Sequence, residues 1–217
     1  MKDDEETPPV HPSSFRLHPS VAALLLAAGE SRRMGKPKSL LEWRGQPLLA
    51  YQVRQLHQAG VGEVVVVAGH DAGRVRAVAE GAGARVVVNP SYRDGRATSL
   101  RVGAEALPPD VETVLILSVD QPRTAAVHRR LFDAHQAAGA LITTPLHAGR
   151  GGHPILLAGS LLEELRLVTE ATEGLRALVR RYDAQRLRVP MDDPSVLLEF
   201  NTPAEYAAAV ADAEVAP

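Results

Sequence analysis

The chain contains no cysteine, which excludes disulfides, thiolate metal sites and thiol catalysis. Aromatic residues make up only 4%, too few for the stacking platforms that grip single-stranded nucleic acid. No apolar run reaches the roughly 18 residues that a membrane-spanning helix needs, so no membrane partner is expected. A strong charge of one sign is also lacking. The formal net charge is −2, and the positive charge gathers in one loop rather than along a face, which argues against a nucleic-acid partner. The opening Met-Lys-Asp-Asp-Glu-Glu is the reverse of a basic signal-peptide start, and a cytoplasmic protein is expected. Lysine is scarce: Lys2, Lys36 and Lys38 are the only lysines among 24 basic residues. Two of those three stand two positions apart in one glycine-containing segment, although arginine serves almost everywhere else.

A length of 217 residues suits one domain with a substantial core. Residues 1–19, with Pro8, Pro9, Pro12 and Pro19 among charged and serine residues, read as a flexible N-terminal extension. Residues 20–217 read as a single domain, without internal repeat or dividing linker. Strands are expected at Val21–Ala28, Glu63–Ala68, Ala84–Val88, Thr113–Ser118 and Leu141–Pro145. They are continuous apolar runs, as in parallel strands covered on both faces. Helices are expected at about Pro47–Ala59, Ala72–Glu80, Ala97–Ala106 and Thr124–Ala138. Gly60, Gly81, Gly83 and Gly139 stand where helices end in a left-handed residue. The later part reads as helices near Ser160–Leu167 and Gly174–Tyr182, strands at Ile155–Ala158 and Arg186–Val189, and a terminal helix from Pro203. The pattern predicts an α/β fold, a doubly wound, mostly parallel sheet flanked by helices. Ligands of such sheets bind at the carboxyl ends of the strands, so the loops after Ala28, Val88, Ser118 and Pro145 should share one crevice.

The first of these loops reads Leu26-Ala27-Ala28-Gly29-Glu30-Ser31-Arg32-Arg33-Met34-Gly35-Lys36-Pro37-Lys38. Gly29 and Gly35 permit close backbone approach. Ser31, Arg32, Arg33, Lys36 and Lys38 supply donors and charge for a triphosphate. The spacing is neither a Walker A loop nor a dinucleotide-binding G-x-G-x-x-G. An ordinary basic surface loop is the bland alternative.

Leu-Ala-Ala-Gly-x-Ser-x-Arg-Met-Gly-x-Pro-Lys, ending at Lys38, resembles the opening motif of MobA-like nucleotidyltransferases, and within them it is most similar to the molybdenum cofactor cytidylyltransferases. The likeness extends over roughly Val21 to Ala209 and implies a Rossmann-like nucleotidyltransferase fold. Nucleotide contacts are then expected from Leu26, Ala27, Ala28, Gly29, Ser31, Arg33, Met34, Gly35, Lys36 and Lys38, with Arg33 and Lys38 in the chemistry.

Further motifs follow along the chain. Ser118-Val-Asp-Gln-Pro122 places Asp120 at the carboxyl end of a strand, where it could be only a helix cap. By resemblance it is the family's metal-binding Asp, a hard oxygen donor of the kind Mg²⁺ needs, with Mn²⁺ as a substitute. Asn89-Pro-x-Tyr-x-x-Gly-x-x-Thr-Ser-Leu-Arg101 puts Gly95 in a turn and Thr98 and Ser99 in the first turn of a helix. In the family this segment flanks the base and ribose, which implies recognition by Asn89, Gly95 and Ser99. Arg150-Gly-Gly-His-Pro154 suggests a mobile loop, and Gly152, His153 and Pro154 resemble the acceptor-side motif. Arg176, in Glu173-Gly-Leu-Arg176, looks like a second acceptor-side element. The other histidines (11, 18, 57, 70, 128, 135 and 147) show no metal-ligand spacing and are expected at the surface. Leu198-Glu-Phe-Asn-Thr-Pro-x-Glu-Tyr206 departs from the family's Asp-x-Asp-Thr-Pro: Glu199 and Asn201 occupy the usual Asp positions, each keeping an oxygen donor.

The resemblance implies transfer of CMP from CTP to the phosphate of molybdopterin cofactor, with a molybdoenzyme or its chaperone as a further partner. Ala28, where guanylyl-transferring relatives tend to have Gly, favours CTP over GTP. Guanylyl or cytidylyl transfer to another small phosphorylated acceptor, and a non-catalytic NTP-binding module, remain as alternatives.

Overall fold

A computed structural model describes residues 18–215. Most of the expected N-terminal extension, residues 1–17, lies outside the described residues, whereas His18 and Pro19 already belong to the first strand. The strands are β1 (His18–Ala27), β2 (Glu42–Trp43), β3 (Gln46–Pro47), β4 (Val61–Ala68), β5 (Arg85–Val88), β6 (Thr113–Ser118), β7 (Ile142–His147), β8 (Arg150–Gly151), β9 (Ile155–Ala158) and β10 (Arg186–Pro190). The helices are α1 (Leu48–Gln58), α2 (Ala72–Gly81), α3 (Arg96–Ala106), α4 (Ala125–Ala138), α5 (Leu162–Arg166), α6 (Leu175–Arg181) and α7 (Pro203–Val215).

Eight strands form one sheet in the order β10-β7-β9-β6-β1-β4-β5, with β8 paired to β7. β1 lies between β4 and β6 and is parallel to both. Its continuous apolar run is divided residue by residue. Ala23, Leu25 and Ala27 enter the core under α1, α2 and α4, while Ala22, Leu24 and Leu26 enter the core under α3, α5 and α6. Side chains alternate across a strand, so a strand covered on both faces must be apolar at every position. The buried Leu24 and Leu25 side chains each contribute about 1.5–3 kcal/mol by this burial.

The sheet is mostly parallel, as expected, with β9 antiparallel to both β6 and β7. The structure departs from or adds to the sequence expectations at three places. A two-residue hairpin at Arg44-Gly45 joins β2 to β3, with φ of 50° and 74°, the doubly left-handed turn that suits twisted strands. Gly60, Gly83 and Gly139 do adopt positive φ, but Gly81 is the last residue of α2 and is not among the positive-φ residues. His128 and His135 are buried, at 0% and 5% exposure, against the expected surface position. They occupy the core-facing stripe of α4 with Leu131 and Phe132, one face of a helix at positions i, i+3, i+4 and i+7.

Candidate active site

The loop after β1 turns sharply because Ser31 takes left-handed backbone, φ 53° and ψ 35°. A single helical turn, Arg32–Met34, follows and is closed by Gly35 at φ 65°. The Met34 amide donates to the Ser31 carbonyl at 2.8 Å. Met34 itself is buried in the core, so it anchors the loop. The Ser31 hydroxyl accepts from the Lys38 amide at 3.1 Å, fixing where the Lys38 side chain starts. Glu30 pairs with Arg32 and Arg93. Their hydrogen bonds and charges hold its carboxyl at about 2, well below the ordinary carboxylate range.

From this loop Lys38 Nζ donates to Asp120 Oδ2 at 2.6 Å and to Asn201 Oδ1 at 2.8 Å. Each partner is positioned by its own segment. Asp120 follows β6, where Gln52 of α1 donates to the Ser118 and Val119 carbonyls at 3.1 and 2.8 Å. Asn201 precedes α7. Its amide and that of Thr202 donate to Glu205 Oε2 at 2.6 and 3.0 Å, while the Thr202 hydroxyl accepts from the Glu205 amide at 3.3 Å. This is a capping box. Phe200, fully buried, stacks on Trp43 at 6.0 Å between ring centroids and meets Tyr206 edge-on at 5.3 Å. Burying Phe200 turns Glu199 and Asn201 the other way, toward the site.

Glu199 Oε2 accepts from Gln121 Nε2 at 3.0 Å and Oε1 from Asn201 Nδ2 at 3.2 Å. Burial opposes its ionisation, but these two bonds and the charges of His153 and Arg96 outweigh that, so its pKa lies below the usual value.

A cleft of about 390 Å³ opens over this centre. Of the residues singled out in the sequence, Leu26, Ala27, Ala28, Gly29, Ser31, Arg33, Lys38, Gly95, Ser99, Asp120 and Asn201 line it. Others do not. Met34 faces the core; Gly35 and Lys36 are exposed beside the cleft. Asn89 is 1% exposed, and its side-chain amide donates inward to Thr98 Oγ1 at 2.8 Å and Ser99 Oγ at 2.9 Å. With Asn89 Oδ1 also accepting from the Ser91 amide at 2.9 Å, Asn89 positions Ser99 and has no group left for a base. Gly152, His153 and Pro154 lie outside the cleft lining. Gly152 is required because a Cβ there would overlap the Val196 carbonyl. The half-buried His153 ring is pushed down to about 4 by desolvation, then by the charges of Arg123 and Arg96. Arg176 is exposed on α6.

Sequence reasoning missed several residues. Ser39, Tyr92, Arg96 and Ser118 also line the cleft, beside Arg32, which the basic loop had already marked. Arg123, 1% exposed, donates to the carbonyls of Pro122 at 2.8 Å and of His153, Val196 and Leu198, each at 2.9 Å. It thereby ties the Asp120, His153 and Glu199 segments together. Burial pushes its pKa down to about 9, against the raising effects of Asp193, Glu199 and Asp120. The only sequence signal was an arginine directly after Asp-Gln-Pro. A larger cavity, about 800 Å³, lies behind Pro122–Thr124. None of the residues given a role from the sequence lines it, so the chemistry-bearing groups converge on the smaller cleft.

Residues 23–187 match the model of a family described as the MobA-like NTP transferase domain. The chain is 31% identical over 171 residues to the nicotine blue oxidoreductase of Paenarthrobacter nicotinovorans, covering 75% of this chain and 83% of that protein. It is 24% identical over 189 residues to the molybdenum cofactor cytidylyltransferase of Escherichia coli K12, covering 86% and 94%. Against the bifunctional protein GlmU of Trichlorobacter lovleyi it is 36% identical over 126 residues, 56% of this chain but only 27% of that longer one. Among solved structures, the Rv0371c protein of Mycobacterium tuberculosis H37Rv superposes with a TM-score of 0.77 at 29% identity, over 88% of this chain and 97% of that one. The manganese complex of Rv0371c gives 0.72 at 26% identity, over 88% and 97%.

Proposed function

The chain belongs to the MobA-like NTP transferase family, and from that premise we propose that it is a cytidylyltransferase. It would transfer CMP from CTP to the phosphate of molybdopterin cofactor, releasing pyrophosphate and giving molybdopterin cytosine dinucleotide. One observation carries the catalytic reading. The Lys38 ammonium sits between Asp120 and Asn201, 2.6 and 2.8 Å from their oxygens, at the end of the basic loop.

That ammonium stands in for a cation. Two oxygen donors converging on one positive charge, with open cleft beside them, fit a hard divalent ion that keeps waters and phosphate oxygens in its remaining positions. Asp120 and Asn201 would hold Mg²⁺ or Mn²⁺, with Glu199 beside them, and the manganese complex of Rv0371c supports a divalent cation in this family. Once bound, the ion supplies charge neutralisation at the reacting phosphates.

The protein's own part is positioning and electrostatics. An oxygen of the acceptor phosphate forms a bond to the α-phosphorus of CTP. The bond from that phosphorus to the bridging β-oxygen breaks, and its electron pair leaves on pyrophosphate. The acceptor phosphate is ionised at neutral pH, so no general base is required. Arg33 would hold the β- and γ-phosphates from the cleft wall, Lys38 would join it once displaced from Asp120 by a cation, and Lys36 would reach them from its exposed position. Gly29 and Gly95 let backbone approach the nucleotide. Ala28 supports cytosine, and Ser99, held by Asn89, is the side chain best placed to meet the base. His153 and Arg176 would serve the acceptor side by their likeness to the family's motifs, although neither lines the cleft.

The test is pyrophosphate release with Mg²⁺ and each of CTP, GTP, ATP and UTP, with and without molybdenum cofactor. Release that requires both CTP and the cofactor is expected. Release with GTP instead would overturn the base assignment and leave the chemistry. Glu199, spent on Gln121 and Asn201, favours a second reading, a binding module without turnover. Nucleotide binding with no release from any triphosphate is the result that would support it.

A further inference from the structure

Arg96 was not singled out by any motif, yet it lines the cleft. It is the first residue of α3 and follows Gly95, whose φ of 112° sets the direction in which the helix starts. The guanidinium donates to the Ser118 hydroxyl at 2.9 Å and has no carboxylate within ion-pair distance among the described residues. Ser118 is two positions before Asp120, so this bond holds a cation beside the proposed metal centre without neutralising it. Arg32, by contrast, is spent on Glu30, and Lys38 on Asp120.

The surroundings of Arg96 differ from those of the triphosphate loop, although Tyr92 and Arg93 just before it reach Glu30 of that loop. Met34 anchors that loop in the core under α1, α2 and α4, whereas α3 covers the other face of the sheet. Ala97, the next residue, donates its amide to Glu170 and lies 3.7 Å from where a Cβ on Gly174 would stand. Thus the segment leading to Arg176 rests on the start of α3. The positive charge of Arg96 is felt by both His153 and Glu199. Arg96 is therefore a cleft-lining cation whose charge reaches Glu199 and His153, at the start of the helix that carries the segment leading to Arg176.

We propose that Arg96 is the anion anchor of the acceptor: its guanidinium, steadied by the Ser118 hydroxyl, binds the attacking phosphate and holds it beside Asp120. A planar guanidinium gives paired hydrogen bonds to phosphate, and keeping one N–H on Ser118 fixes its plane. This inference rests on the nucleotidyl-transfer reading and assigns the acceptor side of that cleft.

The experiment compares wild type with Arg96→Met and Arg96→Lys, using the full chain. Calorimetric titration with CTP and Mg²⁺ should give dissociation constants within about twofold of wild type. Inorganic phosphate, titrated into protein saturated with CTP and Mg²⁺, should bind wild type and bind Arg96→Met at least about tenfold more weakly. With molybdenum cofactor as acceptor, Arg96→Met should raise KM about tenfold or more, with a smaller fall in kcat, and Arg96→Lys should recover part of that affinity. Unchanged phosphate affinity in Arg96→Met, or a matching loss of CTP affinity, would overturn the assignment. Wild type that binds CTP and phosphate but never turns over would instead overturn the transfer reading, while the phosphate titration still decides the role of Arg96.

Discussion

Lys38 and Asp120, 82 positions apart in the sequence, meet at 2.6 Å between Nζ and Oδ2, with side chains 12% and 15% exposed. A carboxylate that accepts this ammonium can accept a divalent cation only if the ammonium moves. The same movement would carry Lys38 toward the phosphates. Lys38→Met should therefore have opposite effects on two ligands. Affinity for CTP should fall by about tenfold or more through loss of a charge-assisted contact. Affinity for Mn²⁺ alone should rise, because Asp120 loses its competitor. Manganese titration followed by electron paramagnetic resonance reads the second effect, and weaker Mn²⁺ binding would show that Lys38 does not compete for the site.

Asp120→Asn keeps the size of the side chain and removes its charge. If Asp120 holds the cation, turnover should fall about 100-fold or more, several kcal/mol of transition-state stabilisation. The thermal midpoint should change little, because the part-buried Lys38 can still donate to an amide oxygen. Pyrophosphate release and a melting curve on the same preparation check both halves. Wild-type turnover in this variant removes Asp120 from the chemistry.

The buried Arg123 makes a prediction about architecture rather than chemistry. It satisfies the carbonyls of Pro122, His153, Val196 and Leu198. Arg123→Met leaves buried acceptors unpaired at about 1–3 kcal/mol each, so a loss of roughly 3 kcal/mol or more is expected in chemical denaturation. Arg123→Lys should not restore it, since a single ammonium cannot reach in the several directions of a guanidinium. Full stability in the lysine variant would mean that charge, not the fork of N–H groups, is what the site requires.

The fold was legible where burial leaves a periodic mark and obscure where it does not. β1, covered on both faces, is apolar at every position from Val21 to Ala27 and reads directly as a central strand. The four-residue run Ile155–Ala158 is equally apolar, but an apolar run carries no direction, so the antiparallel placement of β9 depends on tertiary structure. The Arg44-Gly45 turn escaped notice because arginine seldom adopts positive φ. In the cleft, Asp120 and Lys38 stood out through type and spacing. Asn89 stood out as well, but its inward bonds to Thr98 and Ser99 could be seen only once the loop was folded. Arg96 and Arg123 were hidden in a chain that uses arginine everywhere. His128 and His135 looked like surface residues until α4 placed them on the stripe that it buries.

Those buried histidines set the response to acid. Burial holds the His128 pKa down to about 3, with the charges of Arg123 and Arg129 adding to the effect. His153 is held at about 4, chiefly by burial, and burial lowers His135. Each of these groups binds a proton more weakly folded than unfolded. The unfolded chain therefore takes up protons first as pH falls through about 6.5, and stability declines from that point toward the folded values. At pH 5 the His128 share alone is on the order of 2 kcal/mol. Neither His128 ring nitrogen has a hydrogen-bond partner among the described residues, so His128→Leu removes an imidazole without orphaning another polar group there. Denaturant titrations of wild type and His128→Leu between pH 7 and pH 5 should show a shallower decline in the variant. Parallel curves would place the acid response of the fold elsewhere.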